Sequence, residues 1–202
     1  MKKFIAVAGN MGVGKTSLVE FLTSQYGFEP VYEPYTTNPY LDDFYAEMGR
    51  WAFHSQVYFL SHKFRLHLGL NDSTATVVQD RTIYEDAEIF ATNLGRTGMM
   101  NARDFQTYME LYQSMRGVLQ PPDLMIYLRC PVRSIRQRIK RRGRPSELAI
   151  PVDYLRNLNS LYEEWVARYD LSPVMIWESA TADYLTSLVD RIEFKRTIEK
   201  FL

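Results

Sequence analysis

A glycine-rich segment close to the first residue constrains the fold of this chain most. Residues 9–16 are Gly-Asn-Met-Gly-Val-Gly-Lys-Thr and match the pattern GxxxxGK[ST]. Glycine permits φ values that are costly for other residues, so such a segment can wrap closely around a phosphate with its N–H groups pointing inward. An apolar run at residues 3–8 precedes the segment, and apolar residues at helical spacing follow it between 15 and 26. Strand, glycine loop and helix in this order predict a phosphate-binding loop.

The loop predicts that the chain binds a nucleoside triphosphate. We expect Lys15 to bring a positive charge to the β and γ phosphates and Thr16 to offer an oxygen to Mg²⁺. The helix that begins there points its positive dipole end at the same place. The residues expected to bind ATP are therefore those of the whole loop: Gly9, Asn10, Met11, Gly12, Val13, Gly14, Lys15 and Thr16.

Hydrophobic patterns along the rest of the chain predict an α/β fold. Further strand-sized apolar runs occupy residues 28–32, 76–79, 124–128 and 174–177. Helical patterns cover residues 41–70, with a break near Gly49, and then 84–94, 101–119, 131–140 and 151–169. In the last helix, the residues expected to face the core are Leu185, Leu188, Val189, Ile192 and Ile198. Five strands alternating with helices predict a parallel sheet wrapped by helices, and we expect one domain over residues 1–202.

Composition excludes several other classes of protein. The 24 basic and 24 acidic residues cancel, which argues against a protein that coats nucleic acid. The apolar runs are far shorter than the roughly 20 residues that a membrane helix needs, and no signal-peptide pattern follows Met1. Cys130 is the only cysteine, as is usual in a reducing compartment, so we expect a cytoplasmic protein without nucleic-acid or membrane partners.

Two acids close predicted strands at the edge of the sheet where ligands bind in open α/β folds. Asp80 follows the third strand, the position from which a carboxylate holds Mg²⁺. Glu33 follows the second strand, where it is placed to accept the proton of an attacking hydroxyl. A surface carboxylate at a strand end is the alternative interpretation of each.

The charged residues are distributed unevenly along the chain, and their distribution indicates which kind of group would accept a phosphate. Residues 17–49 contain six acids and no Lys or Arg. A kinase that acts on a nucleoside monophosphate needs cations for the acceptor phosphate, usually arginines near the second strand. The segment therefore favours a neutral hydroxyl as acceptor, although Arg50, Lys63 and Arg81 remain as cations that approach from elsewhere.

Residues 129–144 contain eight basic residues and no acid. Arg142 and Arg144 flank Gly143 at a break in the helical pattern, where a mobile lid, at about residues 138–150, would bring guanidinium groups to the transferring phosphoryl group. Such an arginine accelerates transfer by about 10³- to 10⁵-fold. For Arg133, Arg136 and Lys140 we favour a solvated helix face, and a nucleic-acid patch is the third interpretation of the stretch.

These motifs, taken in order, resemble the deoxynucleoside kinases, especially the bacterial deoxyadenosine/deoxycytidine kinases. Besides residues 9–16, the resemblance rests on Glu33-Pro34, on residues 38–41, on Phe44-Tyr45, Arg50-Trp51 and Gln56, on residues 80–86 with Phe90, on Arg138 with residues 142–144, and on residues 151–154. It implies a P-loop kinase fold, transfer of the γ-phosphate of ATP to a deoxynucleoside 5′-hydroxyl in nucleotide salvage, and a homodimer.

The resemblance also implies roles for individual residues. Glu33 would be the base for the 5′-hydroxyl, with Arg81 beside that oxygen, while Tyr45 and Asp153 would hold the 3′-hydroxyl. Gln56 would hydrogen-bond the nucleobase, Asp86 would face it with Lys63 as ion-pair partner, and Phe90 would stack on it. Arg138, Arg142 and Arg144 would be the lid arginines. Deoxyadenosine is favoured, and deoxycytidine or deoxyguanosine stays open.

Two other functions share part of this pattern. A thymidylate-type nucleoside monophosphate kinase has the same loop, a Glu-Pro element and an Asp-Arg element, but needs an arginine for the acceptor phosphate. A regulatory module that binds ATP without transferring phosphate would not need Glu33, Asp80 and a pair of lid arginines together.

Overall fold

The computed structural model describes residues 2–33, 37–70 and 73–202, without the side chains of residues 145 and 146. Pro34, which belongs to the Glu33-Pro34 motif, lies outside the described residues. Among those described, no helix is both long and apolar enough to cross a membrane.

Five parallel strands form one sheet in the order β2-β3-β1-β4-β5. Their bounds are Phe4–Ala8 for β1, Glu29–Val31 for β2, Val77–Asp80 for β3, Leu124–Arg129 for β4 and Val174–Glu178 for β5. This confirms the predicted five-stranded parallel sheet. Strands β1, β3 and β4 are almost wholly buried, because helices cover both faces.

Helices connect the strands. They are α1 (Lys15–Tyr26), α2 (Leu41–Ala46), α3 (Met48–Leu70), α4 (Ile83–Glu85), a π-helical segment (Asp86–Ala91), α5 (Thr92–Arg96), α6 (Ala102–Arg116), α7 (Val132–Arg142), α8 (Pro145–Leu148), α9 (Val152–Ala167) and α10 (Leu188–Ile198). The segment from α4 to α5 is one continuous helical run whose middle is π-helical. π-helical turns are rare and are frequent at functional sites.

The sheet topology brings the predicted site residues to one edge. Strand β1 lies at the centre with β3 on one side and β4 on the other, and register pairs Val7 with Asp80 and Ala8 with Tyr127. The glycine loop leaves β1, Glu33 lies just beyond β2, and Asp80 ends β3. The crevice at the carboxyl ends of these strands is where open parallel sheets bind their ligands.

The long helical region breaks at Glu47, whose φ of −143° ends α2, close to the break expected near Gly49. The last helix differs from the sequence expectation. In α10, Phe194 and Ile198 are buried, whereas Leu188, Val189 and Ile192 are exposed, as is Leu185, which precedes the helix. The prediction for these four was wrong. The helix packs through Phe194, whose ring contacts three core aromatics, Phe21, Trp177 and Tyr184, and this contact sets its orientation.

The start of the loop is tightly packed, and substitution there tests the fold. Gly9 has a φ of +145°, and a Cβ built on it would lie 2.8 Å from the Leu128 carbonyl oxygen. We expect Gly9→Ala to lower the free energy of unfolding by about 1–3 kcal/mol, because it adds backbone strain and a contact with backbone that cannot move away. Urea unfolding measures the change.

Gly69→Ala is the matched control. Gly69 lies in α3, and no neighbouring atom comes within 4 Å of the place that a Cβ would occupy. Alanine there should raise the free energy of unfolding by about 0.5–1 kcal/mol. Equal effects of the two substitutions would contradict this description of the loop.

Candidate active site

A cavity of about 810 Å³ extends from the glycine loop across the carboxyl ends of the strands. Most of the predicted site residues line it: Met11, Gly12, Val13, Gly14, Lys15, Thr16, Glu33, Tyr45, Gln56, Asp80, Arg81, Asp86, Phe90, Arg138, Arg142 and Arg144. Four others, Gly9, Asn10, Lys63 and Asp153, do not line it. One cavity therefore holds residues from the loop, from three strand ends and from the arginine-rich segment.

Lys15 is buried inside the loop. Its Nζ donates to the carbonyl oxygens of Gly9 at 2.9 Å and Asn10 at 3.1 Å. Burial lowers the pKa of Lys15 to about 8, and the nearby Arg81 charge acts in the same direction. Bound phosphates would supply the negative charge that favours the protonated lysine.

Thr16 and Asp80 form the candidate metal site. The Thr16 hydroxyl donates to Asp80 Oδ2 at 2.6 Å, and Asp80 Oδ1 is buried without a hydrogen-bond partner among the described residues. An unpaired carboxylate oxygen beside a hydroxyl suits Mg²⁺, which binds proteins through few groups. No cluster of three or more His, Cys, Asp or Glu suited to a metal occurs in the described part of the chain. Phosphate oxygens and water would have to complete the coordination.

Glu33 is held by Arg81. Nη1 of Arg81 donates to both carboxylate oxygens, at 2.9 and 3.1 Å, and Nη2 donates to the Gly9 carbonyl at 3.3 Å. The guanidinium carbon lies 4.5 Å from the centre of the Phe90 ring. Arg81 thus joins the predicted catalytic carboxylate to the start of the phosphate loop.

The charges around Glu33 keep it ionised. Burial alone would raise the pKa of Glu33, but the charges of Arg81, Lys63 and Lys15 outweigh burial and lower it to about 2. The carboxylate is therefore available as a hydrogen-bond acceptor at neutral pH.

Lys63 links Glu33 to the far end of the cavity. This fully buried lysine donates to Asp86 Oδ1 at 2.6 Å and to Glu33 Oε1 at 3.3 Å. The predicted pairing of Lys63 with Asp86 is present, but Lys63 lies behind the cavity wall. Beside it, Gln56 Oε1 and Asp86 Oδ2 are buried acceptors without a partner in the described residues.

The arginine-rich segment contacts the cavity through α7 and α8. Arg138 donates to the Val13 carbonyl at 2.6 Å and to the carbonyl oxygen of Ser179. Arg142 and Arg144 both pair with Glu147, which is 11% exposed. Gly143, in the left-handed region at φ 69°, separates the two arginines and allows both to reach one carboxylate.

Asp153 does not reach the cavity, which corrects the position expected for it. Its side chain is 82% exposed and pairs with Arg156 at 2.7 Å. Asp153 lies in the first turn of α9, which points it to solvent.

Glu147 lines the cavity instead. Burial raises the pKa of Tyr45, and Tyr154 and then Glu147 add to that effect, so Glu147 lies close enough to Tyr45 to interact with it.

Sequence reasoning missed Glu147 although a signal was present. It is the first acid after eight basic residues, and a carboxylate between lid arginines is a natural ion-pair partner. It also missed the loop at residues 179–185, which lines the donor end and shows no motif.

Asp86 gives a test of the electrostatics. Burial raises its pKa from 3.8 to about 6, although Lys63 opposes the rise. The folded protein thus binds this proton more tightly than the unfolded chain, and stability from this group is lost as pH rises from about 4 to about 6. We expect the free energy of unfolding of Asp86→Asn, relative to wild type, to increase over that interval.

Chemical denaturation between pH 4 and pH 7 measures this difference. Asp153→Asn is the control, because its carboxylate is exposed. If the free energies of unfolding of wild type and Asp86→Asn change with pH in parallel, folding does not raise the pKa of Asp86.

Known proteins show the same architecture. The deoxynucleoside kinase family model matches residues 5–202. The chain is 38% identical over 175 residues to deoxyadenosine/deoxycytidine kinase of Bacillus subtilis, covering 85% of this chain and 80% of that one. It is 36% identical over 197 residues to deoxyguanosine kinase of Lactobacillus acidophilus, covering 93% and 85%.

A solved structure of deoxyadenosine kinase from M. mycoides, with products dCMP and a flexible dCDP bound, superposes with a TM-score of 0.86 at 28% identity and covers 98% of this chain and 100% of that one. Another structure of the M. mycoides enzyme, with bound dATP, also gives 0.86, at 27% identity, and covers 98% and 99%. The sequence match over almost the whole chain and the shared P-loop kinase fold agree with the geometry of the cavity. The chain belongs to the deoxynucleoside kinase family, whose members transfer phosphate to a nucleoside hydroxyl.

Proposed function

We propose that this kinase transfers the γ-phosphate of ATP to the 5′-hydroxyl of a deoxynucleoside, with deoxyadenosine preferred. The observation that carries the proposal is the position of Glu33. Held by Arg81, it lies in the same cavity as the phosphate-loop residues Lys15 and Thr16. An ionised carboxylate that can accept the proton of a hydroxyl thus lies in the same cavity as the residues expected to bind a triphosphate.

The cations near the acceptor end support a neutral acceptor. Arg50 does not line the cavity, and it is exposed and pairs with Glu47. Arg81 is committed to Glu33 and to a loop carbonyl, and Lys63 lies behind the wall between two carboxylates. A phosphate group on the acceptor would add negative charge at a place where the cations are already paired with carboxylates. This argues against the thymidylate-type monophosphate kinase.

The mechanism follows from these contacts. Glu33 accepts a hydrogen bond from the 5′-hydroxyl, orients it and takes its proton as transfer proceeds. A pKa of about 2 makes Glu33 a weak base, which is sufficient because phosphoryl transfer passes through a loose transition state with little early demand for deprotonation. Lys15 and, from α7 and the lid, Arg138, Arg142 and Arg144 stabilise the phosphate charge. Thr16 and Asp80 would hold Mg²⁺, which when bound would supply positive charge to the triphosphate.

For the sugar, we assign the 3′-hydroxyl to Tyr45 and Glu147. Both line the cavity, and Glu147 interacts electrostatically with Tyr45. Arg142 and Arg144 hold the Glu147 carboxylate, so closure of the lid segment, residues 138–150, and recognition of the sugar would occur together.

The polar groups at the nucleobase end support an amino base. Gln56 and Asp86 each carry a buried acceptor oxygen without a partner in the described residues, and Phe90 offers a ring for stacking. Adenine and cytosine present an exocyclic amine to such acceptors, whereas guanine presents a carbonyl oxygen at the equivalent edge. The larger ring of adenine offers more area for stacking, which favours deoxyadenosine.

We also propose a cytoplasmic, single-domain enzyme that acts as a homodimer in nucleotide salvage. Cys130 is buried and unpaired, as suits a reducing compartment. Exposed apolar side chains on α3 and just beyond α6, such as Leu66 and Val118, support self-association. Sedimentation velocity tests the oligomeric state.

ATP consumption with each common deoxynucleoside and each deoxynucleoside monophosphate tests the proposal. We expect turnover with deoxyadenosine, less with deoxycytidine and least with deoxyguanosine. Turnover with monophosphates alone would refute the proposal, and a lack of turnover with every acceptor would favour the ATP-binding module.

Glu33→Gln tests the catalytic carboxylate. We expect kcat to fall by at least about a hundredfold, because the amide cannot take the hydroxyl proton. ATP affinity, measured by calorimetry, should stay within a few-fold of wild type. An unchanged kcat would remove Glu33 from the mechanism.

Glu147 and Asp153 form a matched pair for the sugar contact. Glu147→Gln should lower kcat/KM for deoxyadenosine by about ten- to a hundredfold, because a hydrogen bond to a charged group is lost. Asp153→Asn should leave kcat/KM within about twofold, as is usual for an exposed side chain. The opposite order would return the 3′-hydroxyl to Asp153.

A further inference from the structure

Glu85 is a buried acid for which the proposed mechanism has no role. Its side chain is wholly inaccessible to solvent and does not line the cavity. Oε1 accepts from the Tyr162 hydroxyl at 2.8 Å and from the Gly9 N–H at 3.2 Å, while Oε2 accepts from the Thr82 N–H at 3.0 Å. Nε of Arg81 lies 3.7 Å from Oε1. Glu85 therefore touches the phosphate loop, the Arg81 turn and helix α9 at once.

Part of this arrangement is an ordinary helix cap. Thr82 and Glu85 form a capping box at the start of α4. Glutamine serves that motif as well as glutamate does, and of the contacts of the Glu85 side chain the box uses only the one with the Thr82 N–H. It does not explain the contacts of Oε1 or the burial of an acid. Burial raises the pKa of Glu85, and the Arg81 charge opposes that rise most strongly. The charge of Arg81 thus favours the ionised carboxylate.

Arg81 has a backbone conformation that needs such support. It is the one non-glycine with positive φ, 59°, in the described part of the chain. A non-glycine residue in this conformation is strained, and it persists only where its surroundings over-determine it. The Arg81 N–H bonds the Val7 carbonyl at 3.0 Å, and Glu85 holds the next N–H, that of Thr82. Hydrogen bonds therefore hold the backbone at Arg81 itself and at the residue that follows it.

The guanidinium of Arg81 is fixed from three directions. Nη1 faces Glu33, Nη2 faces the Gly9 carbonyl, and Nε faces Glu85. The N–H of the same Gly9 residue binds Glu85. Arg81 Nε has no hydrogen-bond partner among the described residues, and Glu85 is the carboxylate that faces it. Without the Glu85 carboxylate, Nε would lose this ion pair and the Gly9 N–H would lose its acceptor, so the Nε edge of Arg81 would be less firmly held.

We propose that Glu85 is a positioning residue that acts on phosphoryl transfer through Arg81, by fixing its guanidinium between Glu33 and the start of the phosphate loop. Tyr162 links this network to α9, the helix that follows the lid. The inference rests on the proposed function, since Arg81 matters only if Glu33 receives the hydroxyl.

Glu85→Gln tests the proposal, because it keeps the size of the side chain and replaces the carboxyl group by an amide, which cannot form an ion pair with Arg81. We expect kcat to fall by about ten- to a hundredfold, the range associated with small misplacement of a catalytic group. KM for deoxyadenosine should stay within about threefold, since Glu85 contacts none of the cavity groups assigned to sugar or base. Glu88→Gln, which removes the Arg168 ion pair from the same helical run, is the control and should leave kcat unchanged.

A double-mutant cycle separates positioning from a general structural role. If Glu85 acts through Arg81, Glu85→Gln should lower kcat by less than about threefold in the Arg81→Ala background. Independent losses that multiply in the double variant would overturn the proposal. Tyr162→Phe, which removes a single donor to Glu85, should lower kcat less and in the same non-multiplicative way. It serves as the second variant if Glu85→Gln does not fold.

Wild-type turnover is measured first, so that two failures can be distinguished. A wild type that phosphorylates no deoxynucleoside refutes the proposed function. An active wild type whose kcat is unaffected by Glu85→Gln refutes the role of Glu85 alone.

Discussion

The site depends on the ion pair between Arg81 and Glu33. Arg81 follows β3 in a left-handed backbone conformation, and its guanidinium bridges the Glu33 carboxylate and the carbonyl of Gly9. Buried charges are tolerated when they are paired, and here two cations and three carboxyl groups form ion pairs at and behind the cavity wall: Arg81, Lys63, Glu33, Asp86 and Glu85. This network connects three strand ends.

The network also explains the distribution of charge along the chain. The acidic segment at residues 17–49 does not simply balance the basic segment at residues 129–144, because Glu33 is neutralised locally by Arg81 and Lys63. The arginines of the basic segment turn to the donor end and to Glu147. What remains open at the acceptor end are uncharged or already paired groups, together with unpaired acceptor oxygens on Gln56 and Asp86. Such a surface supports the proposal of a neutral acceptor.

The fold was largely predictable, because β1 and β4 are buried apolar runs and helices such as α9 have an amphipathic pattern. The errors have physical causes. Helix α10 has two apolar faces in sequence, and only packing of Phe194 against Phe21 and Trp177 selects one of them. Asp153 and Glu147 both follow the arginine motif, but Asp153 enters α9 on its outer face, whereas Glu147 is drawn inward by two arginines.

Local sequence patterns were enough to predict the phosphate loop, the order of the strands along the chain and the acids that end them, because glycine conformations and hydrophobic periodicity are local properties. Which carboxylate meets which cation depends on tertiary packing. Lys63 and Glu33 are 30 residues apart, and Glu85 and Tyr162 are 77 apart. Contacts over such distances follow from the packing of the sheet and its helices, so no local pattern reveals that Lys63 meets Glu33 or that Glu85 lies between Arg81 and Tyr162.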